Sequence, residues 1–463
     1  MNEKKLKLVE EVLRDFYNYH CVRKNKNPYY NDKRGDHTAA IRMGIFVKLK
    51  EKFSAIDSVS GIGVCNRLLK EEVINLQSPR MYRSGHNHGL MVDIALLELM
   101  VDSPEYGKNI NIDVLIKRSS ETLNSMWHDS GLTKEHSVSY QEYNIPLAMD
   151  YFNLLKRLGL KSASSLEIKK ILEESKRFLG YALKENGEYF PLGDSFRLPN
   201  RKILEKVYGS GNDNQIGVHK LLAPYSVEEG SYSNSHFFIY RGVLNGKKIH
   251  FSATCCWDSH NHKQNDELSF CLEVDGVTVF DDPGYTEFLP WDDIVKLKSE
   301  CYHSTILISD KDWSDKLASN GKSRIENAFS DKNGFYLEMV AERVEGFEIR
   351  RVIKLKDGKL YISDSIYTKG LGFYSIKKMF VLSSEMVVEG IGKEGFSVAI
   401  NDREVARVTL HAPAGFDNVV GLEKIKYVMP DRTDIRNTSL VYQSVSINNG
   451  CNPVFLYSVV DLL

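Results

Sequence analysis

Residues 255–288 read CCWDSHNHKQNDELSFCLEVDGVTVFDDPGYTEF, and this stretch decides how the second half of the chain folds. Leu268, Phe270, Leu272 and Val274 recur at the two-residue period of a strand, Asp275-Gly276 turns the chain, and Val277 to Phe280 bring it back. An Asp-Gly pair between β-rich flanks is the strongest short-range hairpin signal, because both central residues of the tight turn need positive φ. With a two-residue loop, Asp282 is expected opposite Ser269. His262 and Gln264 precede the first strand, so they leave the sheet at the same end as Asp281 and Asp282. Six extended residues reach roughly 20 Å, so the histidine-bearing loop has to fold back to meet the aspartates. His303, in CYHSTILISD, opens the next strand.

Working outward toward the C-terminus, the same alternation returns in HFFIYRGVL, KKIHFSAT, STILISD, GFYLEMVAERV, RRVIKLKDGKLYISDSIY and VARVTLHA, with Asp357-Gly358 as a second hairpin turn. Toward the N-terminus the period lengthens. NHGLMVDIALLELM, VLIKRSSETLNSMW, QEYNIPLAMDYFNLLKRLGL and SLEIKKILEESKRFLGYAL repeat apolar residues at helical spacing, the third ending at Gly159, a natural C-cap. The loops between them, SGHNHG, HDSGLTKEHSVSY and ENGEYFPLGDS, carry the polar and aromatic residues. The expected fold is α+β multidomain: an N-terminal α/α toroid-like helical domain over residues 1–225, then a C-terminal antiparallel β-sandwich over residues 226–463.

Bulk properties narrow the function. The 463 residues exceed what one core usually serves. The 61 basic and 62 acidic side chains leave a formal charge of -1, which supplies no global field for nucleic acid or an anionic membrane. No stretch approaches the roughly 20 apolar residues of a membrane span. The opening MNEKKLKLVEEVLRDFYNYH reads as an amphipathic helix rather than a signal peptide; a cytoplasmic protein is expected, or a periplasmic or secreted one had a leader been removed. Seven cysteines without CxxC spacing point to reduced thiols. The 24 tyrosines suit either carbohydrate binding or β-sheet packing.

Three groups of residues carry candidate chemistry. Gln264, Asp282 and His303 offer an amide oxygen, a carboxylate and an imidazole, enough with water to hold a divalent ion; alternatively His260, His262 and His303 are loop histidines and the aspartates cap a turn. Asn87 and His88 precede a helix expected to start near Gly89, where backbone N–H groups favour anions, although Asn and Gly are also common at a helix start and His88 can simply pack. Glu135, His136, Tyr140 and Tyr143 lie in EHSVSYQEYN, yet Tyr140, Tyr143, Leu147, Tyr151 and Leu154 also fit a buried helical stripe.

Taken in order, NHG before an apolar helix, EHSxxY, PLGDS, HKQND followed by LSF, DxG and HST resemble the heparinase II/III-like polysaccharide lyases, over roughly residues 80–310. The resemblance implies a helical toroid followed by a β-sandwich and an acidic polysaccharide or oligosaccharide as partner, with neither nucleic acid nor membrane. It implies cleavage of a uronate-containing glycan by β-elimination. Asn87 matches the residue that neutralises the substrate carboxylate, His88 its active-site neighbour, Tyr140 the acid/base tyrosine and His262 the histidine of the sheet domain. Gln264, Asp282 and His303 match the positions holding a structural metal, and Glu135, Tyr143, Arg241 and Tyr285 are expected substrate contacts. Where many relatives read His-x-His, this chain reads His262-Lys263-Gln264, which widens the expected ion from zinc to calcium or manganese. Two other readings stand beside the lyase: a glycoside hydrolase using Asp194 and Glu135 as opposed carboxylates, and a non-catalytic glycan-binding protein.

Overall fold

The structure is a computed structural model that describes residues 3–23, 35–209, 217–258, 261–309, 311, 313–314, 323–368, 372–447 and 453–463; His260 lies outside them. The chain divides into two compact units, one made of Met1–Thr133 with Asn144–Glu173 and the other of Lys134–Tyr143 with Glu174–Leu463.

The first unit is helical. Its elements are α1 (Glu3–Tyr17), α2 (Asp36–Ser54), α3 (Val59–Gln77), α4 (Asn87–Asp102), α5 (Pro104–Gly107), α6 (Ile112–Met126), most of α7 (Val138–Arg157) and the start of α8 (Ile168–Ala182). Apolar residues at helical spacing bury one shared core that includes Phe53, Leu68, Leu90, Leu97, Leu123, Tyr151 and Leu154. α4 is buried on nearly every side, which is why its sequence is apolar all round rather than striped. α7 ends at Arg157, just before Gly159 with its φ of +69°, the expected stop signal, and tolerates Pro146 within it, at the cost of one internal hydrogen bond.

The second unit carries the sheets, together with α9 (Arg201–Tyr208), α10 (Val218–Leu222) and α11 (Trp291–Leu297). Strands β1 (Gly230–Ser233), β2 (Phe237–Leu244), β3 (Lys247–Thr254), β4 (Phe270–Val274) and β5 (Val277–Phe280) make an antiparallel meander in chain order. Then follow β6 (Ile306–Ile308), β7 (Arg324–Asp331), β8 (Gly334–Ala341), β9 (Phe347–Lys356), β10 (Lys359–Thr368), β11 (Tyr374–Val381), β12 (Val387–Gly392), β13 (Gly395–Ile400), β14 (Arg403–His411), β15 (Asn418–Val428), β16 (Ile435–Ile447) and β17 (Val454–Leu462). They form an eight-stranded sheet, β12-β13-β14-β17-β10-β9-β8-β7, and a four-stranded sheet, β15-β16-β11-β6. A bridge between Phe280 and Leu382 joins the meander to the four-stranded sheet, and all three sheets close on one apolar core that includes Phe251, Leu272, Leu337, Ile353, Phe380 and Val460. The architecture is the expected one: an N-terminal helical region, then a C-terminal antiparallel sandwich.

Both expected hairpin turns are present, with positive φ at Asp275, Gly276, Asp357 and Gly358. One register differs. A bulge between Leu272 and Glu273 shifts β4 against β5 by one residue, so Asp282 is not opposite Ser269. The unit division also departs from a single cut at 225/226. The change from helical to strand period does fall there, but residues 134–143 and 174–225 pack with the sheets. Periodicity reports which element a segment forms, not which core receives it. Six described cysteines, Cys21, Cys65, Cys255, Cys256, Cys271 and Cys301, are free thiols. Among the described residues no helix is long and apolar enough to cross a membrane.

Candidate active site

In the second unit three loops converge around Gly193, in PLGDS. Its φ is +61°, and a Cβ there would stand 2.1 Å from the His136 carbonyl oxygen and 3.1 Å from that of His262. Only glycine allows this approach. Ser137 and Ser195 sew the same loops to the start of α7: Ser195 Oγ accepts from Val138 N at 2.8 Å, and Ser137 Oγ accepts from Tyr140 N at 3.3 Å while donating to the Asp194 carbonyl at 3.0 Å. Asp194 N in turn donates to the His262 carbonyl at 3.1 Å. The first turn of α7, PLGDS and the histidine loop are thus one hydrogen-bonded body.

That body presents Tyr140 face to face with His262, ring centroids 3.3 Å apart and planes 14° from parallel. Tyr143 stands edge-on to Tyr140 at 6.1 Å. Asp194 lies behind the histidine, Oδ2 at 3.4 Å from His262 Nδ1 and 2.8 Å from Lys298 Nζ. Its Oδ1 accepts from Gln264 Nε2 at 3.0 Å. Burial opposes the Asp194 charge, but hydrogen bonds from His262 and Lys298, the Lys298 ammonium and the Gln264 amide outweigh it and hold the carboxyl below its usual range. Burial, with Tyr285, Asp194, Glu135 and Glu287 nearby, pushes the Tyr140 phenol well above the ordinary tyrosine value, so it stays protonated at neutral pH. Burial likewise pushes Tyr285 up to about 12; Lys298 Nζ lies 5.6 Å over its ring. Glu135 is buried.

Behind this face the aspartate pair is pinned. Arg197, 3% exposed, donates to Asp281 Oδ2 at 2.7 Å, to the Asp282 carbonyl at 2.6 Å and to the Val428 carbonyl at 3.0 Å. Asp282 Oδ2 meets His303 Nδ1 at 2.7 Å. Burial disfavours the His303 charge, yet the Asp282 carboxylate outweighs it and raises the imidazole above its ordinary value. Of the three expected metal ligands, Asp282 and His303 are therefore side by side. Gln264 turns its amide nitrogen to Gly193 O and Asp194. Two buried polar atoms, Gln264 Oε1 and His303 Nε2, have no hydrogen-bond partner among the described residues. Orphaned buried atoms of this kind need an explanation, and an amide oxygen, a carboxylate and an imidazole are donor types that a divalent ion takes. The expected meeting of His262 with Asp281 and Asp282 gives way to its pairing with Asp194.

Arg241 spends its guanidinium on the carbonyls of Tyr225, Gly180 and Leu183, clamping the end of α8. Lys263, buried and ion-paired with Asp266 and Glu267, holds the histidine loop from beneath. Lys298 and Arg197 were not singled out from sequence: each is an isolated cation in an ordinary stretch, and only the fold brings Asp194 or Asp281 to it.

In the first unit, α4 starts at Asn87, two residues earlier than expected. His86 is its N-cap, its Nδ1 accepting from His88 N at 3.2 Å, a role that histidine fills rarely beside Ser, Thr, Asp and Asn. Gly89 is required because a Cβ would stand 2.1 Å from the Arg83 carbonyl oxygen. Asn87 is 3% exposed; its Nδ2 donates to Asn144 Oδ1 at 3.4 Å and its Oδ1 has no hydrogen-bond partner. His88 Nδ1 lies 3.0 Å from Asp36 Oδ1.

Comparison with known proteins agrees with this fold. Residues 233–445 match the model of the heparinase II/III-like C-terminal family. The chain superposes on heparinase III with a TM-score of 0.77 at 15% identity, covering 99% of this chain and 74% of that one. On the heparan sulfate lyase HepC from Pedobacter heparinus the values are 0.65, 15%, 99% and 73%; on chondroitinase AC lyase they are 0.53, 9%, 100% and 72%. At these identities the likeness is one of fold. No curated protein matches the chain in sequence.

Proposed function

Because residues 233–445 match the model of the heparinase II/III-like C-terminal family, we propose that the chain is a polysaccharide lyase that cleaves a uronate-containing acidic glycan by β-elimination. The observation that carries this reading is the Tyr140–His262 stack with Asp194 behind it. Elimination across C4–C5 removes a weakly acidic proton beside a carboxylate and delivers a proton to the leaving oxygen at C4. A phenol whose proton is held by burial is suited to the second task. Asp194 at Nδ1 favours the His262 tautomer protonated there, which leaves Nε2 to accept the C5 proton.

The substrate carboxylate resists the extra negative charge that develops at C5, so a hydrogen-bond donor must strengthen toward the enolate-like transition state. The resemblance assigns that task to Asn87, with His88 beside it. Glu135, Tyr143 and Tyr285 are proposed to contact the sugar; Arg241, committed to three carbonyls, is proposed to support the sheet end of the site rather than bind. A divalent ion held by Gln264, Asp282 and His303 would fix the histidine loop against β6; when bound it supplies a structural tie.

The hydrolase reading is narrowed. Asp194, held ionised by His262, Lys298 and Gln264, would serve an inverting hydrolase only as its base, which leaves Glu135 as the acid. The discriminating experiment is an ultraviolet absorbance screen of the purified chain on heparan-type glycans, hyaluronan and alginate. Elimination leaves a conjugated double bond that absorbs, and the lyase reading expects it on at least one polymer. Chain shortening without absorbance would establish hydrolysis instead.

A further inference from the structure

We propose that Asp36, His37 and His88 form a binding site for a divalent transition-metal ion of the zinc type, sharing no residue with the Gln264, Asp282 and His303 group. Asp36 and His37 open α2 and His88 sits in the first turn of α4, so two helix starts of the first unit bring the three side chains together. Both imidazoles aim at one carboxylate oxygen: His88 Nδ1 is 3.0 Å and His37 Nδ1 3.3 Å from Asp36 Oδ1. The two rings are 4.3 Å apart, and one ligand atom from each of the three residues lies within 4.8 Å of the others.

The two imidazole–carboxylate separations are close to those an ion would impose. With metal–ligand bonds of about 2.0–2.1 Å in a tetrahedron, neighbouring donors stand about 3.3 Å apart. One carboxylate and two imidazoles form a donor set suited to zinc and its neighbours, and three protein ligands leave a position for water.

A second observation points the same way. Asp36 is 0% exposed, and its other oxygen, Oδ2, has no hydrogen-bond partner among the described residues. Among the described residues the cation that approaches it is Arg83, whose Nε is 3.6 Å away, too far for a hydrogen bond. Leaving a buried carboxylate oxygen in that condition is costly, and an ion held through both carboxylate oxygens removes the cost. Arg83, with a side chain 36% exposed, balances Asp36 in the metal-free chain and is free to turn to solvent when an ion takes its place. His86 packs edge-on against His88 at 4.5 Å and caps its backbone N–H, so it orients the ligand.

The test compares the full-length chain with His37→Ala, both stripped with chelator, dialysed and titrated with Zn2+ by calorimetry and with Co2+ by visible absorbance. Any ion in the sheet unit is common to both proteins, so the difference isolates this site. The wild type is expected to bind one more equivalent, or to bind that equivalent at least about tenfold more tightly, with His37→Asp recovering part of the loss. Equal stoichiometry and affinity in wild type and His37→Ala would overturn the proposal and leave the trio a hydrogen-bonded Asp–His cluster. Should His37→Ala fail to fold, the imidazole NMR signals of the wild type decide: Zn2+ must shift those of His37 and His88, and unmoved signals overturn the site.

Discussion

Asp364 and Asp194 are both buried carboxylates of the second unit, yet they face different surroundings. Asp364 lies in the sandwich core between Arg351 Nε at 2.6 Å and Lys378 Nζ at 2.8 Å, all three side chains 0% exposed. Arg351 also donates to the Leu268 and Ser304 carbonyls, and Lys378 to that of Ile362. Asp194 has one cation, one imidazole and one amide, and its partners reach solvent: Lys298 is 31% and His262 22% exposed. In both, burial opposes the charge and nearby partners outweigh it. The shared depression of the carboxyl therefore does not mark a site. What marks it is the open edge, where a histidine that can take a proton and a phenol that can give one lie against each other.

That contrast can be broken or sharpened. Asp364→Asn strands two cations in an apolar core and should cost about 3–5 kcal/mol of stability at neutral pH, read by denaturant unfolding, while the folded fraction keeps its turnover. The same residue sets an acid limb. Its contribution is complete above the unfolded carboxylate value of about 3.9 and disappears as the pH falls through the lower folded value. Acid unfolding of the wild type should show that loss and Asp364→Asn should lack it.

Asp194→Asn should do the opposite of Asp364→Asn: fold with a smaller loss and turn over about 10²-fold more slowly, because His262 loses its orienting charge. If it destabilises as much as Asp364→Asn and leaves kcat untouched, the two carboxylates are alike and the site reading of Asp194 falls. Lys298→Ala is the smallest change. With its ammonium partly in water it should cost about 1 kcal/mol or less, seen as a small shift in the melting temperature.

Much of this fold was legible in the residues. The Asp275-Gly276 and Asp357-Gly358 turns, the two-residue period around them and the helical stripes of α6 and α8 all rest on local chemistry, and the structure contains them. What escaped is what depends on distant partners. The bulge between Leu272 and Glu273 that displaces Asp282 from Ser269 interrupts a run whose alternation is unbroken in sequence. The start of α4 was misjudged because a histidine serves as its cap. Tyr140 was readable both as a site residue and as part of a buried stripe, and only the His262 ring on its face separates the two. Lys298 beside Asp194, Arg197 beside Asp281, and Asp36 with His37 beside His88 come together across 104, 84 and 52 residues of chain, with no motif linking them.

The central claim, that Tyr140 transfers the proton to the leaving oxygen, is tested most directly by Tyr140→Phe. On a polymer that the wild type degrades, product absorbance should show kcat/KM lowered about 10²–10⁴-fold, with the melting temperature unchanged. Turnover near the wild-type rate in a folded Tyr140→Phe chain would contradict it.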